Sequence, residues 1–136
     1  MIHERFLIGS ISNHRRLYKE CYNALKPGGW IELVEMEAHS FSDDGTLPAD
    51  AALVKWGHWI HEAFEKMGRP FLKCEEYKQQ LEDAGFVNVE LKVVRRPNND
   101  WPKDPRWKEI GKVSPPSPSC FHIAGLQVVV LLLELS

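Results

Sequence analysis

Leu25-Lys26-Pro27-Gly28-Gly29-Trp30-Ile31-Glu32-Leu33-Val34-Glu35 carries the chain out of an amphipathic helix, around a Pro-Gly-Gly corner and into a strand. Ahead of the corner, apolar residues recur at Leu17, Cys21 and Leu25, and again at Tyr18 and Tyr22, the spacing of one helix face. Ser12 or Asn13 can cap the start of that helix. Pro27 cannot continue it and biases Lys26 away from helical angles, while Gly28 can take the positive φ that a reversal demands. Beyond the corner, Trp30-Ile31 and Leu33-Val34 are too continuous for a solvated strand and suit one buried on both faces of a parallel sheet. A helix feeding a buried strand through a tight turn is half of a βαβ unit, so the expected class is α/β.

The totals fit one modest domain or a piece of one: 136 residues, 43% hydrophobic and 26% charged. A formal charge of -2 gives no reason to invoke nucleic acid, because Arg15-Arg16 and Arg95-Arg96 are isolated pairs rather than a basic surface. Cys21, Cys74 and Cys120 are odd in number and far apart, which suggests neither a disulfide framework nor a zinc site and points to a reducing compartment. Met1-Ile2-His3-Glu4-Arg5 leads into no secretory apolar region. The last apolar run, from Ile123 to Leu135, contains Gln127 and Glu134 and falls short of the ~20 residues of a spanning helix, so no membrane role is expected.

Residues 2–9 are apolar enough to be buried yet begin abruptly, and that start reads as a cut. A helix over 13–26 and a strand over 30–37 follow, then a polar loop whose Asp43-Asp44-Gly45 marks a turn rather than a calcium site. The next helix is expected from Pro48 to about Met67, packed through Leu53, Trp56, Ile60 and Phe64, with Trp59 and Ala63 widening the stripe. Another spans 73–84, carrying Tyr77, Leu81 and Ala84 inward, and Gly85 ends it. Residues 86–94 alternate as a strand with one wet face. Residues 95–105 are a three-proline loop, 106–112 a short helix, and the tryptophans are expected in the core, with Trp101 and Trp107 covering it from the loop. The chain divides into 1–112 and a tail, 113–136, that opens with Ser114-Pro115-Pro116-Ser117-Pro118-Ser119 and reads as a linker followed by an apolar run.

Several segments line up in order with one family: Ile2-His3 with Arg5, Gly9-Ser10-Ile11, the corner itself, Asp43-Asp44-Gly45-Thr46-Leu47, Lys66-Met67-Gly68-Arg69-Pro70, Ala84-Gly85-Phe86, Trp101-Pro102-Lys103-Asp104 and Lys108-Glu109-Ile110-Gly111. Over about residues 2–112 the chain resembles the fungal LaeA-like, S-adenosylmethionine-dependent class I methyltransferases associated with secondary metabolism. The resemblance implies an incomplete class I (Rossmann-like) fold holding only the last strands and helices. The chain begins at the end of the family's fourth strand, before which the family's cofactor loop and ribose-binding acid would stand. None of the nine glycines here makes a G-x-G pattern, and Gly28-Gly29 follow a helix and precede a strand, the reverse of a cofactor loop. The tail does not resemble the family. Its Val-Leu run can pair beside residues 86–94 in place of the family's closing strand, or it is translated noncoding sequence.

By the resemblance, His3 and Arg5 lie just beyond the family's fourth strand, where they line the cofactor and substrate cleft; alternatively they are an exposed terminal residue and a structural ion pair. Glu35, Glu37 and His39 leave the carboxyl end of the strand after the corner, where they can orient an acceptor or take its proton, or simply form the strand's polar end. His58 and His61 stand three apart on a helix, but with no third ligand and no H-E-x-x-H order no metal is expected. No Gly-x-Ser-x-Gly elbow supports hydrolase chemistry.

The expected function is therefore membership of the S-adenosylmethionine-dependent methyltransferases, truncated and inactive alone. The alternative is a non-catalytic pseudoenzyme or interaction fragment. The partner expected is a small-molecule acceptor or another protein, with pairing at an exposed sheet edge, in the cytoplasm or nucleus.

Overall fold

The computed structural model describes residues 1–42, 45–97, 100–113 and 123–134, and in it the corner turns the chain as the sequence predicts. Helix α1 (His14–Ala24) is capped by the Asn13 side chain, which accepts the Arg16 amide at 2.9 Å. Leu25 leaves it in an extended conformation. Lys26 then accepts the Gly29 amide at 2.8 Å across Pro27 and Gly28, whose φ of +73° meets the demand of the turn's third position. The turn delivers the chain into β2 (Trp30–Ser42), parallel to β1 (Ile2–Arg5) in a register running from Ile2 opposite Ile31 to Arg5 opposite Val34.

Three helices and two strands complete the fold: α2 (Ala52–Lys66), α3 (Cys74–Ala84), β3 (Val87–Pro97), α4 (Pro105–Val113) and β4 (Ile123–Glu134). The sheet order is β1-β2-β4-β3, so β4 lies between two strands that precede it and is antiparallel to both. The apolar tail is therefore paired along its length, and beside β3 it holds the place of a closing strand.

Helices α1 and α3 pack together over one face of the sheet. Tyr18, Ile31, Leu33, Tyr77, Leu81 and Phe86 form the core there, with Leu17, Cys21, Tyr22 and Leu25 packed at its margin. The helices are also tied by Arg15 donating to Asp83 at 2.6 Å, and the Tyr22 ring meets Phe86 edge-on at 5.3 Å.

Several expectations need correction. β2 is not buried on both faces: Ile31, Leu33 and Glu35 are buried under α1 and α3, whereas Glu32, Val34 and Met36 are half-buried on the other side and Trp30 is exposed. β2 runs through Ser42 instead of ending at 37, because β4 supplies partners as far as Ser42 opposite Ile123. The same strand prolongs β3 to Pro97, which is tolerated because β3 is an edge strand. Pro48 does not open α2 but sits in a turn, accepting the Ala51 amide at 3.0 Å. α2 is not packed through its tryptophans either: Leu53, Gly57, Ile60 and Phe64 face inward, while Trp56 and Trp59 are 52% and 65% exposed. Trp101 and Trp107, at 40% and 37%, are also exposed rather than core. Asp43 and Asp44, together with the Pro-Ser linker, lie outside the described residues.

Leu81 is fully buried where α3 meets the sheet. Leu81→Ala should lower unfolding free energy by about 2–5 kcal/mol, read from the urea midpoint at unchanged m-value.

Candidate functional site

Because β1 and β2 are parallel, their carboxyl ends meet at one edge of the sheet, where open α/β sheets bind ligands. Loop 6–12 leaves β1 at that edge and is fixed from two sides. The buried Glu35 of β2 accepts the Leu7 amide at 2.7 Å and the Ile8 amide at 3.2 Å, one on each carboxylate oxygen. From the other side α2 closes on Gly9. At φ +71°, a Cβ there would stand 2.4 Å from Phe64 Cε1, so only glycine lets the ring come this close. On the flank of the loop an open groove of about 740 Å³ is lined by Ser10, Ile11, Asn13, Arg16 and Glu20, among others.

His3 and Arg5 point to the opposite face of β1 from the core. His3 Nδ1 meets Glu32 Oε2 at 2.7 Å across the parallel pair, and the Arg5 guanidinium lies 5.0 Å from the Phe6 ring centroid. Both are exposed and stand beside loop 6–12. Glu37 and His39 belong to β2 around the register shift between Glu37 and Ser40, and their side chains lie outside the described residues. On α2, His58 is exposed and His61 stacks edge-on against Phe71 at 5.0 Å. Among the described residues no group of three potential ligands could hold a metal ion.

A buried polar cluster beneath this edge was not singled out from the sequence. Glu4, between exposed His3 and Arg5, points under the sheet and is 6% exposed. It lies close enough to Glu35, Tyr18 and Tyr77 to be felt electrostatically by each. Glu4 Oε1 and the Tyr18 and Tyr77 hydroxyls have no hydrogen-bond partner among the described residues. Burial, reinforced by the Glu35 charge, raises the Glu4 carboxyl from 4.5 to about 7. Burial raises Glu35 as well, against the downward pull of the Leu7, Ile8 and Met36 amides. Both phenols are pushed up by burial, and His14, 5.6 Å from the Tyr77 ring, is pushed down by it. The available signal was period-2 alternation, which puts Glu4 on the same side of β1 as Ile2.

These residues do not by themselves make a cradle for a nucleotide-like cofactor. Gly28 and Gly29 precede Trp30 and therefore lie at the amino end of β2, the far end of the sheet from loop 6–12. No G-x-G stands anywhere in the sequence.

A parallel pair followed by an inserted antiparallel strand is the arrangement of class I methyltransferases, and the solved structures agree. Phosphoethanolamine N-methyltransferase 2 of Haemonchus contortus, determined with phosphomonomethylethanolamine and S-adenosylhomocysteine, superposes with a TM-score of 0.55 at 15% identity, over 98% of this chain and 32% of that one. The methyltransferase domain family matches residues 1–91. The secondary metabolism regulator LAE1 of Cochliobolus heterostrophus is 41% identical over 113 residues, 82% of this chain and 37% of that protein. The protein-methionine methyltransferase laeA of Chaetomium globosum is 37% identical over 99 residues, 71% of this chain and 31% of that one. The chain thus belongs to the methyltransferase domain family, whose cofactor is S-adenosylmethionine, and its sequence is similar to those of fungal LaeA-like secondary metabolism regulators. It spans about a third of the length of these relatives, 37% and 31%. No helix among the described residues is long and apolar enough to cross a membrane.

Glu35→Gln can accept from only one of the two amides and sets an NH2 against the other. It should cost about 1–3 kcal/mol and speed hydrogen exchange at Leu7 and Ile8 about tenfold. Glu4 holds its proton more tightly folded than unfolded, so its contribution is complete below pH 4.5 and is lost as pH rises through about 7. Unfolding free energy should fall by roughly 3 kcal/mol across that window, and Glu4→Gln should remove most of the fall. Comparing the two pH profiles isolates Glu4 from His14, whose lowered pKa acts in the opposite sense.

Proposed function

We propose that residues 1–112 form the acceptor-side part of an S-adenosylmethionine-dependent methyltransferase of fungal secondary metabolism, and that methyl transfer requires a cofactor-binding segment not contained in residues 1–136. The observation that carries this reading is a fully braced loop 6–12 at the ligand-binding edge of a sheet that lacks any glycine-rich loop to accompany it. Methyl transfer depends chiefly on holding the acceptor in line with the donor, and a loop pinned by Glu35 and Phe64 meets that need on one side. In this reading His3 and Arg5 border the cleft, and Glu35 is the brace rather than the proton acceptor because both its oxygens are already engaged. Glu37 and His39 then remain for the acceptor's proton. The acceptor is a small molecule or a protein side chain, and the compartment is cytoplasmic or nuclear by resemblance to the family.

A second reading, a non-catalytic interaction fragment, draws support from β1, which pairs only with β2 and leaves its other edge open among the described residues.

Calorimetric titration of the purified chain with S-adenosylhomocysteine should give no binding at up to about 1 mM, and a micromolar Kd would overturn the proposal. Co-expression with the amino-terminal segment of the LAE1 relative should create binding. A stable complex that still fails to bind would favour the second reading.

A further inference from the structure

Helix α2 is apolar on two sides. Its inward stripe of Leu53, Gly57, Ile60 and Phe64 packs on the fold, and a second stripe of Ala52, Trp56, Trp59 and Ala63 is exposed throughout. The second stripe advances by four, three and four residues, the spacing of a helix-pairing seam. Two tryptophans with more than half their surface in water are a large apolar exposure, and helices apolar all round are normally covered.

The charges beside the seam identify what covers it. Lys55 and Glu62 stand seven residues apart, on the same flank, and carry opposite charge; Glu62 also accepts from Lys66 one turn further on, at 2.7 Å. Laid antiparallel on a second α2 about a two-fold axis between Trp56 and Trp59, the stripe meets itself, with each Trp56 against Trp59 of the second copy and each Ala52 against Ala63. The same rotation brings Lys55 opposite Glu62 of the second copy, twice. A parallel pairing would set Lys55 and Glu62 against the apolar Ile60 and Met67 flank, leaving Lys55 with no carboxylate across the seam and Glu62 with only Lys66 of its own helix. We propose that the exposed α2 stripe is a self-association surface and that the chain forms an antiparallel, two-fold dimer through it.

The helix has 15 residues, about 22 Å of length, so the contact falls at the small end of specific interfaces and the dimer is weak. Sedimentation equilibrium of the full chain from about 1 to about 300 µM at low salt should show a monomer–dimer equilibrium with a Kd of tens of micromolar. Trp56→Glu and Trp59→Glu should each weaken it about thirtyfold or more, with circular dichroism reporting that the fold is retained. Lys55→Glu should weaken it about tenfold, and Lys55→Glu combined with Glu62→Lys should recover most of that loss.

A wild-type chain that stays monomeric over the whole range overturns the proposal, as does a dimer indifferent to the tryptophan substitutions or a charge swap that fails to rescue. Monomers that instead bind the amino-terminal segment of the LAE1 relative in a Trp56-dependent manner would assign the stripe to that segment and also overturn it. None of these outcomes bears on cofactor binding, so the methyltransferase reading stands or falls separately.

Discussion

Strand β4 is hydrogen-bonded on both sides, to β2 from Trp30 through Ser42 and to β3 from Val87 through Pro97, and β2 and β3 are not neighbours without it. One module of the chain is β1-α1-β2 with its Pro-Gly-Gly corner; the other is α3 leading into β3. The helices α1 and α3 join the modules above the sheet, but within the sheet only β4 does. Its residues are the most strongly apolar run in the sequence, which suits a strand flanked by two others. The whole arrangement thus depends on the pairing of β2 with β4, from Trp30 opposite Glu134 to Ser42 opposite Ile123, contacts far apart in sequence whose loop-closure cost must be met before they stabilise anything.

That joined sheet fixes the geometry of the candidate ligand-binding edge. β1 contributes four residues and would be a poor anchor alone. It is held by parallel pairing to β2 and by Glu35, whose carboxylate takes the two amides of the loop that follows. Charge-assisted bonds to backbone amides are among the stronger hydrogen bonds, and a brace of this kind orders a loop without occupying its outer surface. Beneath it, the fold tolerates a second buried carboxyl, Glu4, and two phenols, of which Glu4 Oε1 and both hydroxyls find no partner among the described residues. Buried polar groups left unsatisfied are costly, so their presence below a candidate site marks this region as one not optimised for stability alone.

The matched part of this chain covers only about a third of the fungal relatives, 37% of LAE1 and 31% of laeA. What the chain contributes is best understood as a positioned edge: a parallel pair, a fixed loop and an exposed polar face carrying His3, Glu32 and Arg5. The aromatic stripe of α2 lies beside the inward stripe that ends in Phe64, which packs on Gly9, so one short helix both braces the loop and offers a surface for association.

Much of this was legible in the sequence because it is local. The helix before the corner, the positive φ at Gly28, the end of α3 at Gly85 and the alternation of β3 follow from backbone sterics and side-chain period, which act over a few residues. The family, too, could be recognised from short motifs. Tertiary pairing decided what periodicity could not: residues 40–42 and 95–97 look like loop yet are strand, because β4 reaches them. Trp56 and Trp59 match an inward stripe by spacing, but a helix can turn only one side to the core, and the side turned in carries the buried Gly57 and the Phe64 ring that packs on Gly9. Glu35 as the polar end of a strand could have been a base or a cap. Only the return of the chain after β1 puts the Leu7 and Ile8 amides against its oxygens, since hydrogen-bond partners 28 and 27 residues away are set by the fold and not by the neighbouring sequence.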